Sequence, residues 1–425
     1  MRKLLTSVVL ASAVSLTGIA CEDPPQPQQK RLTKPPTPPQ RSKKVNKPKK
    51  AVKLTPQQKV TMIKDCWAAY SAQDVKKFEK CYGPKTVNEM VDYLPPRKTK
   101  GSKALFAANA PVRKAFPDMK FELAKIFVGP KDAVVVYATH GTHKGDLMGQ
   151  KPTEKQVGYL SAQHLSWAKD GTVAMDRHYY DQGTFAGQLG FHEMPVRPAL
   201  EPGKTGELEV VIAKKDKKEK GNLALYKKLN KLSATKDVDK MMEHFADDAL
   251  FAYMAGPKDA KGKEAIKQVW DMWFKSSSDM KSTTAWSWAA GDYVLAAGRV
   301  SGTNDGDLSP EQKATNKKFS MRGVDILKFK DGKVVEYWMF ANGFKFAVDL
   351  GLAEDPAAMA KKGDEEEGDD DKGDDPAAEE KKVAEEKAKE APKSAPKAPP
   401  KDTKAAAKPE APPPSTPKKT DDAYD

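Results

Sequence analysis

The sequence predicts an α+β fold in which two similar domains follow one another between two unfolded ends. Of the 32 prolines, nine lie between Pro24 and Pro56 and eleven between Pro356 and Pro417, so the ordered part of the 425 residues is the middle. That middle part repeats itself with an offset of 161 residues. In both copies, sequence of helical periodicity precedes sequence of strand-like alternation.

Residues 1–20 are typical of a secretory signal peptide, because Arg2 and Lys3 precede an apolar stretch too short to span a membrane. The stretch ends in Gly18-Ile19-Ala20-Cys21, which resembles a bacterial lipobox. This resemblance implies a lipid-anchored chain at the bacterial cell envelope, periplasmic or surface-facing, attached to the membrane through Cys21. The alternative is ordinary cleavage that leaves Cys21 as a free thiol.

Two segments lack the apolar content to form a core. Residues 22–54 carry ten Lys and Arg against two acids (+8), and residues 361–425 carry fourteen Lys against nineteen acids (−5). We therefore expect a disordered Pro/Lys-rich tether over 21–54 and a disordered, charged Ala/Lys/Pro tail over 354–425. The net charge of +14 comes with no basic recognition helix and no phosphate-binding loop, so we expect no nucleic-acid partner.

The repeat keeps one register over about ninety residues. The matching segments at the offset of 161 are Lys100-Gly101 and Lys261-Gly262, Asp118-Met119-Lys120 and Asp279-Met280-Lys281, Gly145-Asp146-Leu147 and Gly306-Asp307-Leu308, and Lys169-Asp170-Gly171 and Lys330-Asp331-Gly332. We place domain 1 at residues 55–192, a linker at 193–217 and domain 2 at 218–353.

The helices come first in each copy. Thr55-Pro56-Gln57-Gln58 is a capping box with proline at the first helical position. Asp74 and Asp237 are expected to cap short second helices. A third helix should follow Gly262, whereas its counterpart in domain 1 is expected to break near Pro111.

The strands follow the helices, at Ala133–Thr139, Val157–Ala168 and Val173–Gln182, with Asp170-Gly171 as a two-residue hairpin turn between the last two. In that register, residues whose numbers sum to 341 face each other. Strand alternation then places four polar side chains on one face: His164, Arg177, Tyr179 and Asp181. Because such a set is costly in a hydrocarbon core, we expect this face to line a polar cavity.

Cys66 and Cys81 lie on two neighbouring predicted helices. An oxidising compartment allows a disulfide between them, but the spacing alone leaves open two buried free thiols. His140 and His143 are three residues apart on a predicted strand and point to opposite faces, so we expect no metal site and no cofactor.

Copy one resembles the SnoaL-like polyketide cyclases of the nuclear transport factor 2-like superfamily. The resemblance is carried by the segment from Gly141 to Gly149, by Pro152-Thr153, by Asp170-Gly171, and by Asp181 with Gln188-Leu189-Gly190. It implies two cone-shaped domains, each a curved antiparallel sheet wrapped around about three helices, which could pack on each other as an intramolecular pseudo-dimer. It also implies an acid/base role for Asp181, with His164 as its partner.

Three functions remain open. Domain 1 could bind a small apolar ligand in its cone through His143, Leu160, Arg177 and Tyr179, or it could act as an ester cyclase or isomerase through Asp181 and His164. A cavity of about 300–1,000 Å³ that reaches Asp181 would favour either of these two functions, whereas side chains that fill the cone would favour an interaction scaffold.

Domain 2 is expected to be a degenerate structural partner. At the offset of 161, His143, His164 and Asp181 of domain 1 correspond to Asn304, Asp325 and Asn342 of domain 2. The pocket of domain 2 should therefore lack the titratable pair that His164 and Asp181 form in domain 1. The identity of the ligand does not follow from the sequence.

Overall fold

The computed structural model describes residues 51–355. The predicted signal peptide, the lipidation site Cys21, most of the tether and the tail beyond residue 355 lie outside the described residues. Within them the predicted α+β class is confirmed, because two mixed sheets each pack against helices. Over residues 51–355, no helix combines the length and the apolar character needed to cross a membrane.

The first half of the described chain builds one seven-stranded sheet. Its helices are Pro56–Ser71 (α1), Val75–Phe78 (α2), Ser102–Ala115 (α3) and Gln182–Gln188 (α4). Its strands are Val87–Met90 (β1), Arg97–Lys100 (β2), Lys120–Val128 (β3), Asp132–Thr142 (β4), Gln156–Trp167 (β5), Val173–Tyr179 (β6) and Glu209–Ile212 (β7). The strand order is β2-β1-β6-β5-β4-β3-β7. The edge strand β7 comes from the predicted linker and runs parallel to β3.

The second half builds a six-stranded sheet of the same kind. Its helices are Lys217–Ala234 (α5), Val238–Met242 (α6), Lys263–Ser276 (α7) and Gly343–Asp349 (α8). Its strands are Phe245–Tyr253 (β8), Ala260–Lys261 (β9), Lys281–Ala290 (β10), Tyr293–Thr303 (β11), Lys318–Lys330 (β12) and Lys333–Ala341 (β13). The strand order is β10-β11-β12-β13-β8-β9.

The predicted helix starts are confirmed. The Thr55 hydroxyl accepts from the Gln58 amide, and the Gln58 side chain accepts from the Thr55 amide, which completes the capping box before α1. Asp74 and Asp237 cap α2 and α6. In each case a side-chain oxygen satisfies a backbone amide that has no partner within the helix.

The predicted break at Pro111 is wrong, because α3 continues through this residue to Ala115. Proline removes one backbone donor from the helix. Arg97 supplies another donor nearby, to the carbonyl of Ala108. The buried side chains of Leu105 and Ala115 hold the helix against the core on both sides of the proline.

The two predicted hairpins differ in their turns. Asp331 and Gly332 form the expected two-residue turn, with φ angles of 51° and 72°, between the paired residues Lys330 and Lys333. The turn at Asp170-Gly171 is longer than predicted, because the Ala168 amide donates to the Thr172 carbonyl. A bulge next to Ser166 absorbs the difference, so the predicted register of β5 and β6, with His164 opposite Arg177, is confirmed.

The offset of 161 residues does not hold throughout. Ala133 pairs with Leu165 in the first sheet, and Val294 pairs with Leu327 in the second, so the offset is 161 between β4 and β11 but 162 between β5 and β12. The extra residue lies in the turn between β11 and β12. A shift of one residue exchanges the two faces of a strand. The counterpart of His164 is therefore Ile326 and not Asp325.

The two sheets pack against each other through the faces that point away from their own helices. Tyr179, Val136 and Phe127 of the first sheet belong to the same buried cluster as Phe340, Leu295 and Tyr293 of the second. The rings of Phe127 and Tyr293 are in contact, with centroids 4.9 Å apart. Further members are Val91, Ala124, Val134, Ala162, Ala252, Met254, Trp288, Ala290, Ala297, Val324 and Ile326. Each sheet is therefore buried on both faces, by its helices and by the other sheet.

Cys66 on α1 and Cys81 after α2 form a disulfide, with their Cα atoms 6.0 Å apart. This is the first of the two alternatives that the sequence left open. The bond closes a loop with a sequence separation of 15 and joins the first two helices over the core of the first domain.

Replacing Cys66 and Cys81 together by serine should lower the free energy of unfolding by about 3 kcal/mol, because a loop of this length is no longer closed in the unfolded chain. Denaturant unfolding with and without reductant measures the effect. Cys21→Ser is the matched control and should change nothing. A double variant as stable as the wild type would contradict the prediction.

Candidate functional site

An aromatic cavity lies between the helices and the inner face of the first sheet. Its volume is about 130 Å³. The aromatic and sulfur-containing side chains that line it are Cys66, Trp67, Tyr70, Phe78, Tyr82, Met90, Tyr93, Met119, Phe121, Tyr137, Met148, Tyr159, His178, Tyr180 and Phe185. The cavity is smaller than the sequence led us to expect, and Asp181 does not line it. A space near this size accepts one aromatic ring.

Asp176 is the carboxyl group of this cavity. It is 1% exposed, and its Oδ2 accepts hydrogen bonds from Tyr82 Oη (2.9 Å), Asn88 Nδ2 (2.9 Å) and Gln163 Nε2 (3.2 Å). Its Oδ1 has no hydrogen-bond donor among residues 51–355. Burial raises the pKa of Asp176 to about 7, against the opposing effect of the bonds from Tyr82 and Asn88. Near neutral pH this group can therefore both give and take a proton.

The strands β5 and β6 place the polar groups of the cavity by alternation. Asp176, His178 and Tyr180 are two residues apart along the chain and point to one side, as Tyr159 and Gln163 do on the neighbouring strand. Asn88 reaches Asp176 because it is the direct neighbour of that residue in the parallel pair of β1 and β6. The sheet thus positions the carboxyl group and two of its donors, Asn88 and Gln163.

His178 lies beside Asp176 and is held as a neutral imidazole. Its Nε2 is hydrogen-bonded to the Tyr137 hydroxyl, and its Nδ1 lies 3.2 Å from the Met90 sulfur. Burial lowers the pKa of His178 to about 3, and the positive charge of Arg97 acts in the same direction. Its ring stacks on Tyr180 with centroids 5.3 Å apart. A neutral histidine can donate to a ligand oxygen without carrying charge.

The predicted polar face does not line the cavity, and this prediction was wrong. His164 points to the second sheet, where its ring stacks on Trp286 at 4.3 Å and its Nε2 lies 2.9 Å from Asp132 Oδ2. Tyr179 belongs to the cluster between the sheets, and Leu160 packs against that cluster. His164, Arg177 and Asp181 on this face each have a hydrogen-bond partner in the protein, so they do not need a solvated cavity.

Arg177 and its neighbours form a buried network between the two domains. Arg177 Nε donates to Glu89, and Arg322 from the second domain donates to Glu89 and to Asp92. These bonds to Arg322 help to lower the pKa of Glu89 against burial. Arg177 thus pairs with Glu89 and not with Asp181.

Asp181 caps a helix and ties the two domains together. Its Oδ2 accepts from the Thr184 amide (2.6 Å) and hydroxyl (2.7 Å) at the start of α4, and its Oδ1 accepts from the Phe344 amide of α8 (3.1 Å). Asn342, which occupies the matching position in domain 2, accepts in return from the Gln182 amide (3.2 Å). Burial raises the pKa of Asp181. Its oxygens are occupied by structural donors, so the expected acid/base role at this position does not fit.

His143 is a structural residue outside the cavity. Its ring lies between Phe116 and Phe191, and its Nδ1 accepts from the Thr153 amide at 3.2 Å. Burial lowers the pKa of His143. This contact closes the turn between β4 and β5, a task that Asn304 performs in domain 2 by accepting from the Thr315 amide.

The histidines of β4 have separate partners. His140 Nδ1 lies 3.0 Å from the Leu200 carbonyl, on the side of the linker, whereas His143 contacts Thr153. Across residues 51–355, no cluster of three His, Cys, Asp or Glu side chains is placed to hold a metal ion.

The second domain has a cavity of its own, of about 80 Å³. Asp325 lines it and is hydrogen-bonded to Tyr337, and burial raises the pKa of Asp325 to about 7. This pocket thus contains a buried carboxyl group to which the sequence analysis gave no role. The one-residue shift makes Asp325 the counterpart of Gln163, and Tyr337 takes the place of Asp176.

The sequence did not identify the residues that form the polar part of this cavity, which are Asp176, Gln163, Tyr82, Asn88 and His178. One signal was available, because the predicted register also puts Asp176, His178 and Tyr180 on a common face. Alternation separates two faces but does not tell which one looks inward.

Comparison with known proteins identifies both halves. Residues 57–189 match the model of the SnoaL-like polyketide cyclase family, and residues 226–337 match that of the SnoaL-like domain. The chain therefore contains two SnoaL-like domains in tandem, as the sequence predicted. No curated protein sequence matches the chain significantly.

Several solved structures resemble single domains of the chain. A proposed SnoaL-like polyketide cyclase from Jannaschia sp. CCS1 has 15% identity, a TM-score of 0.31, and covers 33% of this chain and 97% of its own. A proposed hydroxylase from Streptomyces galilaeus has 21% identity, a TM-score of 0.29 and coverages of 33% and 89%. A proposed polyketide cyclase from Streptomyces antibioticus has 20% identity, a TM-score of 0.27 and coverages of 31% and 98%.

The raised pKa of Asp176 predicts a pH-dependent stability. The folded state holds this proton more tightly than the unfolded chain does, so the contribution of Asp176 to stability falls as the pH rises from about 4 to about 7. Asp176→Asn should therefore gain stability relative to the wild type over that range, by roughly 1.4 kcal/mol for each unit of elevated pKa.

The control for this prediction is Asp170→Asn, in the exposed turn. Hydrogen bonds from Thr172 lower the pKa of Asp170, so this variant should lose stability relative to the wild type as the pH rises. Urea unfolding at several pH values measures both differences. A difference between Asp176→Asn and the wild type that does not change with pH would contradict the assignment.

Proposed function

We propose that domain 1 of this tandem of SnoaL-like domains binds a small, mainly apolar ligand in its aromatic cavity. The observation that carries the proposal is Asp176, a buried carboxyl group with one oxygen that has no donor among the described residues, at the wall of an otherwise aromatic space. A buried polar atom of this kind is costly unless a ligand or water satisfies it. A ligand with one hydrogen-bonding group and one ring fits both features.

The aromatic walls supply most of the binding free energy. Tyr159, Tyr180 and Tyr93 form a continuous series of ring contacts, with centroids 5.7 Å and 6.0 Å apart. Rings present large apolar surfaces with little side-chain entropy to lose. Asp176 then orients the ligand through a hydrogen bond at its Oδ1, which accepts when the carboxyl is ionised and can donate when it is protonated.

A second candidate function is acid/base chemistry on a carbonyl compound. The pKa of about 7 favours it, because a group that exchanges its proton near neutral pH is an efficient general acid or base. Asp176 would take the proton next to the carbonyl at its Oδ1 and later return it to the product. This assigns to Asp176 the acid/base role first expected of Asp181.

Domain 2 supports domain 1 in this proposal. It covers the outer face of the first sheet and supplies Arg322 to Glu89 and Asp92, and the Phe344 amide to Asp181. An uncovered sheet with these apolar residues would be an aggregation surface. We therefore propose an intramolecular pseudo-dimer in which one domain binds the ligand and the other stabilises it.

We further propose that the chain is anchored to the bacterial envelope by a lipid on Cys21, as the lipobox-like sequence indicates. Cys21→Ser should move the protein from the membrane fraction to the soluble fraction, because the variant cannot carry the lipid that the proposal makes its attachment to the membrane. Fractionation followed by immunoblotting measures this. An unchanged membrane fraction would contradict the lipid anchor.

Ligand binding is tested with the full chain and neutral aromatic probes, acetophenone and methyl benzoate. A probe that binds only the folded state raises its stability by about 2.7 kcal/mol at a hundred times its dissociation constant. Asp176→Ala should weaken binding by about tenfold, because a hydrogen bond to the probe is lost.

The matched control is His164→Ala, which changes a polar residue on the opposite face of the same sheet. It should lower the unfolding temperature without altering the dissociation constant at a temperature where the variant is folded. Loss of binding in His164→Ala with retention in Asp176→Ala would restore the original assignment. No binding of any probe would favour an interaction scaffold.

A further inference from the structure

We infer that the ligand of the domain 1 cavity is an aromatic carboxylate, and that Arg97 and Arg113 bind its carboxylate group. The inference rests on the proposed function and narrows its ligand to a chemical class. It starts from two guanidinium groups that line an aromatic space.

Neither arginine is neutralised by the protein around it. Arg97 Nη2 donates to the Ala108 carbonyl and to Asn109 Oδ1, and Arg113 Nη2 donates to the Tyr70 carbonyl at 2.7 Å. These acceptors are uncharged. Within the described part of the chain, neither guanidinium pairs with a carboxylate, and the buried Arg113 Nε has no acceptor. A half-buried cation without a counter-ion is a place where an anion binds favourably.

The two guanidinium groups share one end of the cavity. Asn109 and Arg113 are four residues apart on α3 and so lie on one helix face, and Arg97 is hydrogen-bonded to Asn109 at 2.9 Å. Arg113 also lies 4.3 Å above the ring of Tyr70. Burial raises the pKa of Tyr70, and the charges of both arginines act against this rise, as expected if both lie near its hydroxyl.

Asp176 lies away from Arg97 and Arg113, so the cavity has two separate polar ends, one at the carboxyl group and one at the arginines. Arg97 is the sheet neighbour of Met90, which is the neighbour of His178, whereas Asp176 is two residues further along its strand. Two residues of a strand span about 6.6 Å. The aromatic walls lie between these ends. An aromatic ring with a carboxylate at the arginine end matches this order of groups.

The cavity of domain 2 lacks this pair of cations. At the offset of 161, which holds over α3 and α7, Asn109 corresponds to Trp270 and Arg113 to Phe274. Both of these aromatic residues line the second cavity. Arg97 corresponds to Lys258, which is exposed and does not line it. The cationic end is therefore a feature of domain 1, and domain 2 provides the substitutions that remove it.

The experiment compares benzoate with methyl benzoate, which has the same ring and no charge. Isothermal titration of the full chain should give at least about tenfold tighter binding of benzoate, as expected for charge-assisted hydrogen bonds. Arg113→Phe and Arg97→Gln should each remove most of this preference. The readout is the ratio of the two dissociation constants, which a general loss of stability does not change.

The outcomes separate the inference from the proposed function. Equal affinity for both probes in the wild type would overturn the carboxylate assignment and leave apolar ligand binding in place. A preference for benzoate that survives both substitutions would also overturn it, because the anion would then bind elsewhere. Binding of neither probe would contradict both proposals. Arg299→Gln, which changes an arginine of the second cavity, is the matched control and should keep the preference.

Discussion

The packing of one sheet against the other is the interaction on which the rest of the structure depends. It buries the outer faces of both sheets, from Tyr179 and Val136 on one side to Phe340 and Leu295 on the other. Each central strand is thus buried on both faces. Side chains along β6 point alternately to the cavity and to the domain interface. Asp176, His178 and Tyr180 serve the cavity, whereas Arg177, Tyr179 and, beyond the strand, Asp181 serve the interface. One strand therefore carries both the candidate binding site and the domain contact.

Polar groups make this interface specific. Asp181 and Asn342 each accept a backbone amide from the first turn of the other domain's last helix, which fixes the two domains in one relative position. Arg322 and Glu89 add a charged contact between the domains. Apolar packing alone would tolerate sliding of one sheet over the other, but these directional bonds would be left unmade. The duplication thus lets one copy diverge in its cavity while both keep the contact.

Much of the fold could be predicted from the sequence, because its signals are local. The capping box at Thr55 and the register that puts His164 opposite Arg177 depend on neighbours along the chain or across one hairpin. The site could not be assigned in the same way. Both faces of β6 carry polar residues, and only the three-dimensional packing shows that Trp286 covers the face with His164. One extra residue in the turn after β11 likewise exchanged the faces of β12, so the offset of 161 did not show that Asp325 lines the second cavity.

The central claim is that the inner face of the first sheet binds the ligand while the outer face is structural. A crystal structure of the full chain with 4-bromobenzoate tests it most directly, because anomalous scattering from bromine locates the ring. The account predicts a bromine peak inside the first cavity, on the side of Asp176, with the carboxylate toward Arg97 and Arg113. A peak beside His164 at the domain interface, or density confined to the molecular surface, would contradict it.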